Sequence, residues 1–188
     1  WNWTQPDWPN FCYDSAAVEA LELRFLLSSG EILGAVRHVT SDERDRLRIE
    51  LLSEEAMRTS AIEGEVLDRG SVQSSLRRQF GLISDDVASR PKEQGVAEMM
   101  VDVYSTYAEP LTHDTLSRWH GMLLAHDRGL ETIGAYRRHI DAMQIVSGRI
   151  DRPTVHFEAP PSAQVQGEMD VFVDWFNRTA PDGPTPLP

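Results

Sequence analysis

Apolar residues recur three and four positions apart through most of this chain, and each run opens on a helix-capping residue and stops near glycine or proline. That pattern commits the chain to a series of short helices rather than to a sheet. Asp14 opens a run through Ala17, Leu21, Phe25, Ile32 and Val36, with Gly30 and Gly34 weakening its far end. Thr40-Ser41-Asp42-Glu43 has capping-box form, and Leu47, Leu51, Leu52, Met57 and Ile62 follow on a charged helix expected to stop at Gly64. A third helix is expected to begin between Asp68 and Ser71, to carry Val72, Leu76 and Phe80, and to end at Gly81. The fourth bears Val96, Met99, Met100, Val103 and Tyr107, and the fifth, capped by Thr112, bears Leu116, Trp119 and Leu123. The sixth follows Pro160-Pro161, with Ser162 as its cap and Val165, Met169, Phe172 and Phe176 on one face.

A single stretch reads as β structure. Residues 126–142, with Gly129, Gly134 and mixed charges, read as loop; Met143 to Ser147, a turn over 148–153, and Thr154 to Glu158 then read as a hairpin. The expected fold class is therefore all-α, about six helices with one β-hairpin. The polar stretch from Ser84 to Pro91 reads as a linker, which divides the chain into domains over 1–90 and 91–188. Trp1, Trp3 and Trp8, interspersed with Pro6 and Pro9, suit an arm packed on the body rather than a helix. Four prolines after Ala180 stop the last helix.

Charge and cysteine usage narrow the partners. The 188 residues carry 18 Lys+Arg against 30 Asp+Glu, a net charge of −12, which disfavours nucleic-acid backbones for this segment. Cys12 is the single cysteine, so an intramolecular disulfide is ruled out and a reducing, cytoplasmic compartment is expected. No apolar run approaches the ~20 residues of a membrane span, and the start is unlike a signal peptide. His113 and His120 lie two helical turns apart, too far for the adjacent-turn pairing that chelates zinc, so no metal site is expected with them or with His126.

Three motifs carry a resemblance. The opening Trp1-x-Trp3-x-x-Pro6-x-Trp8-Pro9 is similar to the N-terminal domain that often precedes Fic domains. Thr59-Ser60-Ala61-Ile62-Glu63-Gly64 fits the inhibitory pattern of that family: Ser or Thr, three residues, Glu, then Gly or Asn. Ile133-Gly134-Ala135-Tyr136-Arg137, Met143 to Gly148 and Val155-His156-Phe157-Glu158-Ala159-Pro160-Pro161 resemble the start of the Fic fold and its β-hairpin flap. Together they make the chain resemble the front part of a Fic-family protein adenylyltransferase. Residues 1–90 would be its regulatory domain with inhibitory helix, and 91–188 the first part of its Fic domain.

The resemblance implies transfer of AMP from ATP, with Mg²⁺, to a Ser, Thr or Tyr hydroxyl of a target protein. The family's catalytic signature, a histidine followed by Phe, an acidic residue and Gly-Asn-Gly-Arg, does not occur in this sequence. No catalytic residue is therefore expected within it, the chain alone is expected to be inert and to bind no nucleotide tightly, and activity belongs to a longer parent. In that parent Glu63 would pair with the motif arginine that otherwise holds the γ-phosphate, Thr59 would orient its carboxylate, and Gly64 would end the helix. Val155, His156 and Phe157 would form the flap that receives the target segment by strand addition. Arg137 and Arg138 are weak candidates for phosphate contact.

Each residue also has a plainer reading. Glu63 alone reads as a solvated glutamate near a helix end, Thr59 as a surface hydroxyl, the hairpin as structural cover, and the arginine pair as solvated. Met99, Met100 and Trp119 read as core. In the alternative, the whole chain is a non-enzymatic helical regulatory or interaction module, linked in the parent to a DNA-binding helix-turn-helix. Homodimerisation stays open.

Overall fold

The computed structural model describes residues 5–7, 12–82, 88–149 and 151–186. Trp1, Trp3 and Trp8 of the expected arm, and residues 83–87 of the expected linker, lie outside them. The element order is α1 (Ser15–Val36), α2 (Ser41–Ile62), α3 (Arg69–Gln79), α4 (Pro91–Thr106), α5 (His113–Leu124), β1 (Gln144–Arg149), β2 (Arg152–Glu158) and α6 (Ser162–Thr179). The protein is mainly helical, with one antiparallel two-stranded hairpin among the described residues, as the periodicity predicts. None of its helices is long and apolar enough to cross a membrane, among those residues.

Helices α1, α2, α3 and α5 begin at side-chain caps. Asp14 accepts from the Ala16 and Ala17 amides, Asp68 from Ser71, and Thr112 from Thr115. At α2 the capping box is reciprocal: Thr40 Oγ1 accepts from the Glu43 amide at 3.3 Å, and Glu43 accepts from the Thr40 amide at 2.9 Å. That bond to the Thr40 backbone holds the Glu43 carboxyl below its ordinary range. At α6 the cap shifts by one residue. Pro161 is the N-cap and has no polar side chain to make a capping bond, while the Ser162 hydroxyl is directed to the His139 carbonyl.

Two compact units divide at Arg48/Ile49, within α2. The division expected at 90/91 falls inside the second unit, where α3 and α4 pack against one another. Serine side chains close that junction. Ser71 Oγ accepts from the Arg90 amide at 2.8 Å, and the Ser75 and Ser89 hydroxyls pair at 2.8 Å. In the first unit, α1 buries none of its residues and leaves Leu21, Leu23, Phe25, Leu26, Leu27, Ile32 and Leu33 exposed.

The core lies in the second unit. Ile49, Leu52 and Ala56 of α2, Leu67, Val72 and Leu76 of the α3 region, and Val96, Ala97 and Met100 of α4 form one cluster, with Met99 and Leu123 packed on its edge. Met99 and Met100 thus serve as core, whereas Tyr107, expected on the same face, sits at the α4 C-cap and is exposed. Helix α5 lies against α4, where buried Gly95 admits the Met122 carbonyl. Trp119 is half-buried rather than core, because its indole N–H needs a polar partner. It and Arg118 of α5 both donate to Asp102 Oδ2 of α4, at 2.6 and 2.8 Å.

Those donors, Arg118 first, hold the Asp102 carboxyl below the usual aspartate range. A carboxyl whose folded value is depressed contributes stability above its unfolded value and loses it as pH falls through the folded one. The α4–α5 contact should thus hold at neutral pH and weaken below about pH 4, near the unperturbed aspartate value. Asp102→Asn should flatten that acid limb, a difference readable in thermal melts of both proteins at about pH 3 and pH 7.

A second clamp spans 66 residues. The Asn177 carboxamide of α6 accepts from the Leu111 amide at 2.8 Å and donates to the Leu111 carbonyl at 2.9 Å, and Leu111 is buried. Removing the amide leaves two partly buried backbone groups without that partner. Asn177→Ala is expected to cost about 1–3 kcal/mol, measured as a shift in the urea midpoint with the slope unchanged.

Candidate functional site

The Thr59–Gly64 motif ends a helix in a defined way. The Gly64 amide donates to the Ala61 carbonyl at 3.1 Å and the Glu65 amide to the Ser60 carbonyl at 2.8 Å, the two bonds of a Schellman termination. Gly64 adopts φ +80°, which a side chain would make costly, so glycine is required there by backbone geometry. Glu63 is the last residue before this reversal. It is exposed, and among the described residues its carboxylate has neither a hydrogen-bond nor an ion-pair partner. Thr59 does not reach it. Its hydroxyl donates back to the Glu55 carbonyl, the preceding-turn bond that a helical threonine makes by default.

The segment after Gly64 is fastened from α4. Glu65 pairs with Lys92, and that ammonium, with His126 nearby, keeps the Glu65 carboxyl below its ordinary range. Glu93 Oε1 accepts from the Asp68 amide at 3.0 Å, while Leu67 between them is buried. Helix α3 is then joined to α2 by salt bridges from Arg69 to Glu50 and Glu54, and by a hydrogen bond from the Gln73 carboxamide to Glu50 at 2.9 Å.

The hairpin is tighter than expected. Its strands run to Arg149 and from Arg152, which pair with each other, so the turn is shorter than the 148–153 span that the sequence suggests. Pro153 lies in β2 opposite Gly148. Gly148 takes φ +93°, and proline is tolerated because a two-stranded ribbon leaves each strand with an unpaired edge. Register adds a feature that residue types do not reveal. Ile145 pairs with Phe157 and Val146 with Val155, so His156 is the extra residue of a β-bulge. Its Nε2 lies 2.6 Å from Ser147 Oγ. Ile145, Val146, Val155 and Phe157 are all exposed, giving the hairpin apolar side chains at its surface.

Arg137 is occupied with structure. It donates to Ser162 Oγ at 3.1 Å and to the Pro160 carbonyl, tying the loop before the hairpin to the exit after it. Arg138 is exposed in the same loop, which is held in turn from α5. His120 Nδ1 accepts from the Gly134 amide at 2.8 Å, and His113 Nδ1 lies 2.7 Å from the Tyr136 hydroxyl, with its Nε2 2.9 Å from Asp170 of α6. Burial first, and Asp170 second, push the Tyr136 hydroxyl above its ordinary range. Spacing along one helix hides this role of the two histidines, since their loop partners are 14 and 23 residues away. Glu93 carries one local signal: an acid two residues after Pro91 sits where a helix start favours negative charge.

Among the described residues no group of three His, Cys, Asp or Glu side chains converges to hold a metal ion. No curated protein matches the chain. Residues 1–82 match the family described as a domain of unknown function (DUF4172), and this N-terminal segment is similar to that family.

Proposed function

We propose that the chain is the regulatory and target-binding part of an autoinhibited Fic-type protein adenylyltransferase, which transfers AMP from ATP to a protein hydroxyl. The observation that carries the reading is the Thr59–Gly64 motif. It ends in a glycine-dependent turn that leaves the Glu63 carboxylate exposed and without a partner among the described residues, available to an arginine from outside these 188 residues. The match of residues 1–82 is compatible with it, because that domain is associated with Fic-like proteins. The exposed apolar side chains of the two-stranded hairpin suit capture of an extended target segment around Val155, His156 and Phe157.

Where Mg²⁺ takes part, the acidic residue of the histidine motif would hold it on the ATP phosphates. Arg137 is engaged at Pro160 and Ser162, which leaves Arg138 as the member of the pair toward phosphate. ATP and a protein substrate are the expected partners, in the cytoplasm. A second reading, a helical interaction module without catalysis, is favoured by the exposed apolar side chains of α1. The test is adenylyl transfer by the longer protein with Glu63 replaced by glycine, where a rise supports inhibition and an unchanged rate favours the module.

A further inference from the structure

We infer that the first turn of α4 is a latch that holds the Glu63 segment in its inhibitory place, with Glu93 as the positioning residue. The inference rests on the inhibitory reading of Glu63. Between the end of α2 and the start of α3 lie only residues 63–68, and their chain direction is set at two ends. The Schellman turn at Gly64 sets one. The other is Asp68, which caps α3 through its side chain while its own amide is gripped by Glu93.

Glu93 is an unusual residue to find there. It is 3% exposed, and its Oε2 is buried without a hydrogen-bond partner among the described residues. Burying a carboxylate oxygen unpaired is costly, and a native protein keeps such a group where it performs a task. The bond that Glu93 Oε1 makes is to the backbone of the segment that follows the inhibitory motif. Its neighbour Lys92 grips Glu65 in the same segment, so two consecutive residues of α4 fasten both sides of buried Leu67. Ile62, Glu63 and Val66 are exposed, so the inhibitory end of α2 has little packing of its own. Its position therefore depends on the attachment to α4, which is continuous with the core through Val96, Ala97 and Met100.

The test has one arm on this chain and one on the longer enzyme. In hydrogen exchange, Glu93→Ala should speed the Asp68 amide by about tenfold or more, and the Glu65 amide by less, with Leu76 and Met100 unchanged. Glu93→Asp, which keeps the charge but withdraws the oxygen by one methylene, should act like Glu93→Ala and guards against a variant that fails to fold. Glu93→Gln retains an acceptor at the same reach and should stay near wild type. In the longer enzyme Glu93→Asp should raise transfer, and should add nothing in a Glu63→Gly background. A merely structural residue would lower transfer in both backgrounds. Unchanged Asp68 exchange in Glu93→Asp, or faster exchange throughout the core, overturns the latch. If Glu63→Gly alone leaves transfer unchanged, the inhibitory reading fails on its own, and Asp68 exchange still decides whether the latch exists.

Discussion

Replacing Gly95 by alanine is expected to be strongly destabilising in the second unit. A Cβ at that position would sit 2.0 Å from the Met122 carbonyl oxygen and 3.0 Å from its carbon. Both are backbone atoms of α5, so relief requires α4 and α5 to move apart rather than a side chain to rotate. Overpacking of this kind costs about 1–3 kcal/mol and occasionally more, and a backbone contact this close belongs at the upper end. For a unit of this size, ~3 kcal/mol lowers the melting temperature by roughly 6–12 °C. Gly121, on α5 itself, supplies the control: a Cβ there would meet nothing within 4 Å, so alanine should stabilise by about 0.5–1 kcal/mol. Thermal melts of the two variants should move in opposite directions. Equal melting temperatures would mean that the helices do not cross as closely as Gly95 requires.

Glu63→Gly in the longer protein is expected to raise adenylyl transfer at least about tenfold. A charge-assisted hydrogen bond contributes ~1.5–3 kcal/mol, and each ~1.4 kcal/mol is tenfold in rate or population. On the proposed inhibitory reading, removing the carboxylate would free an arginine to hold the γ-phosphate. The effect on folding should be small, since Glu63 is exposed, lies outside the helix proper and makes no side-chain bond among the described residues. Glu63→Asp, with a shorter reach, should fall between wild type and the glycine variant. Measuring initial rates at saturating ATP, alongside melting temperature, separates derepression from damage. Wild-type rates in a folded Glu63→Gly variant would return Glu63 to the status of a solvated surface residue.

Much of the fold is readable from residue order because helix ends are local events. Asp14, Thr40 with Glu43, Asp68 and Thr112 each satisfy amides within three residues of themselves, so their side chains suffice to place a helix start. Gly64 and Gly81 likewise mark ends, because a left-handed turn needs a residue without a Cβ. Ser162 fails as a cap for a nonlocal reason. A carbonyl 23 residues earlier, at His139, competes for its hydroxyl, and no local rule anticipates that. The hairpin is visible in its alternation and turn residues, whereas the bulge at His156 depends on register and is not. Helical spacing directs Thr59 toward Glu63, yet its hydroxyl bonds the preceding turn, since a backbone acceptor within its own helix is nearer than a side chain beyond the helix end.

The sequence by itself determined where the chain turns, which stretches are helical, and that Glu63 stands beside a glycine-dependent helix stop. These follow from capping, φ limits and apolar period, all of which act over a few residues. Only the tertiary structure decided that Glu93 grips Asp68, that His113 and His120 brace the Gly134–Arg137 loop, that Arg137 is tied to Pro160, and that α3 and α4 share one core across the expected linker. The hydrogen bonds among these join groups 14 or more residues apart, and such contacts depend on which helix faces meet. Residue types limit what can be buried there, but close packing of whole elements selects the partners.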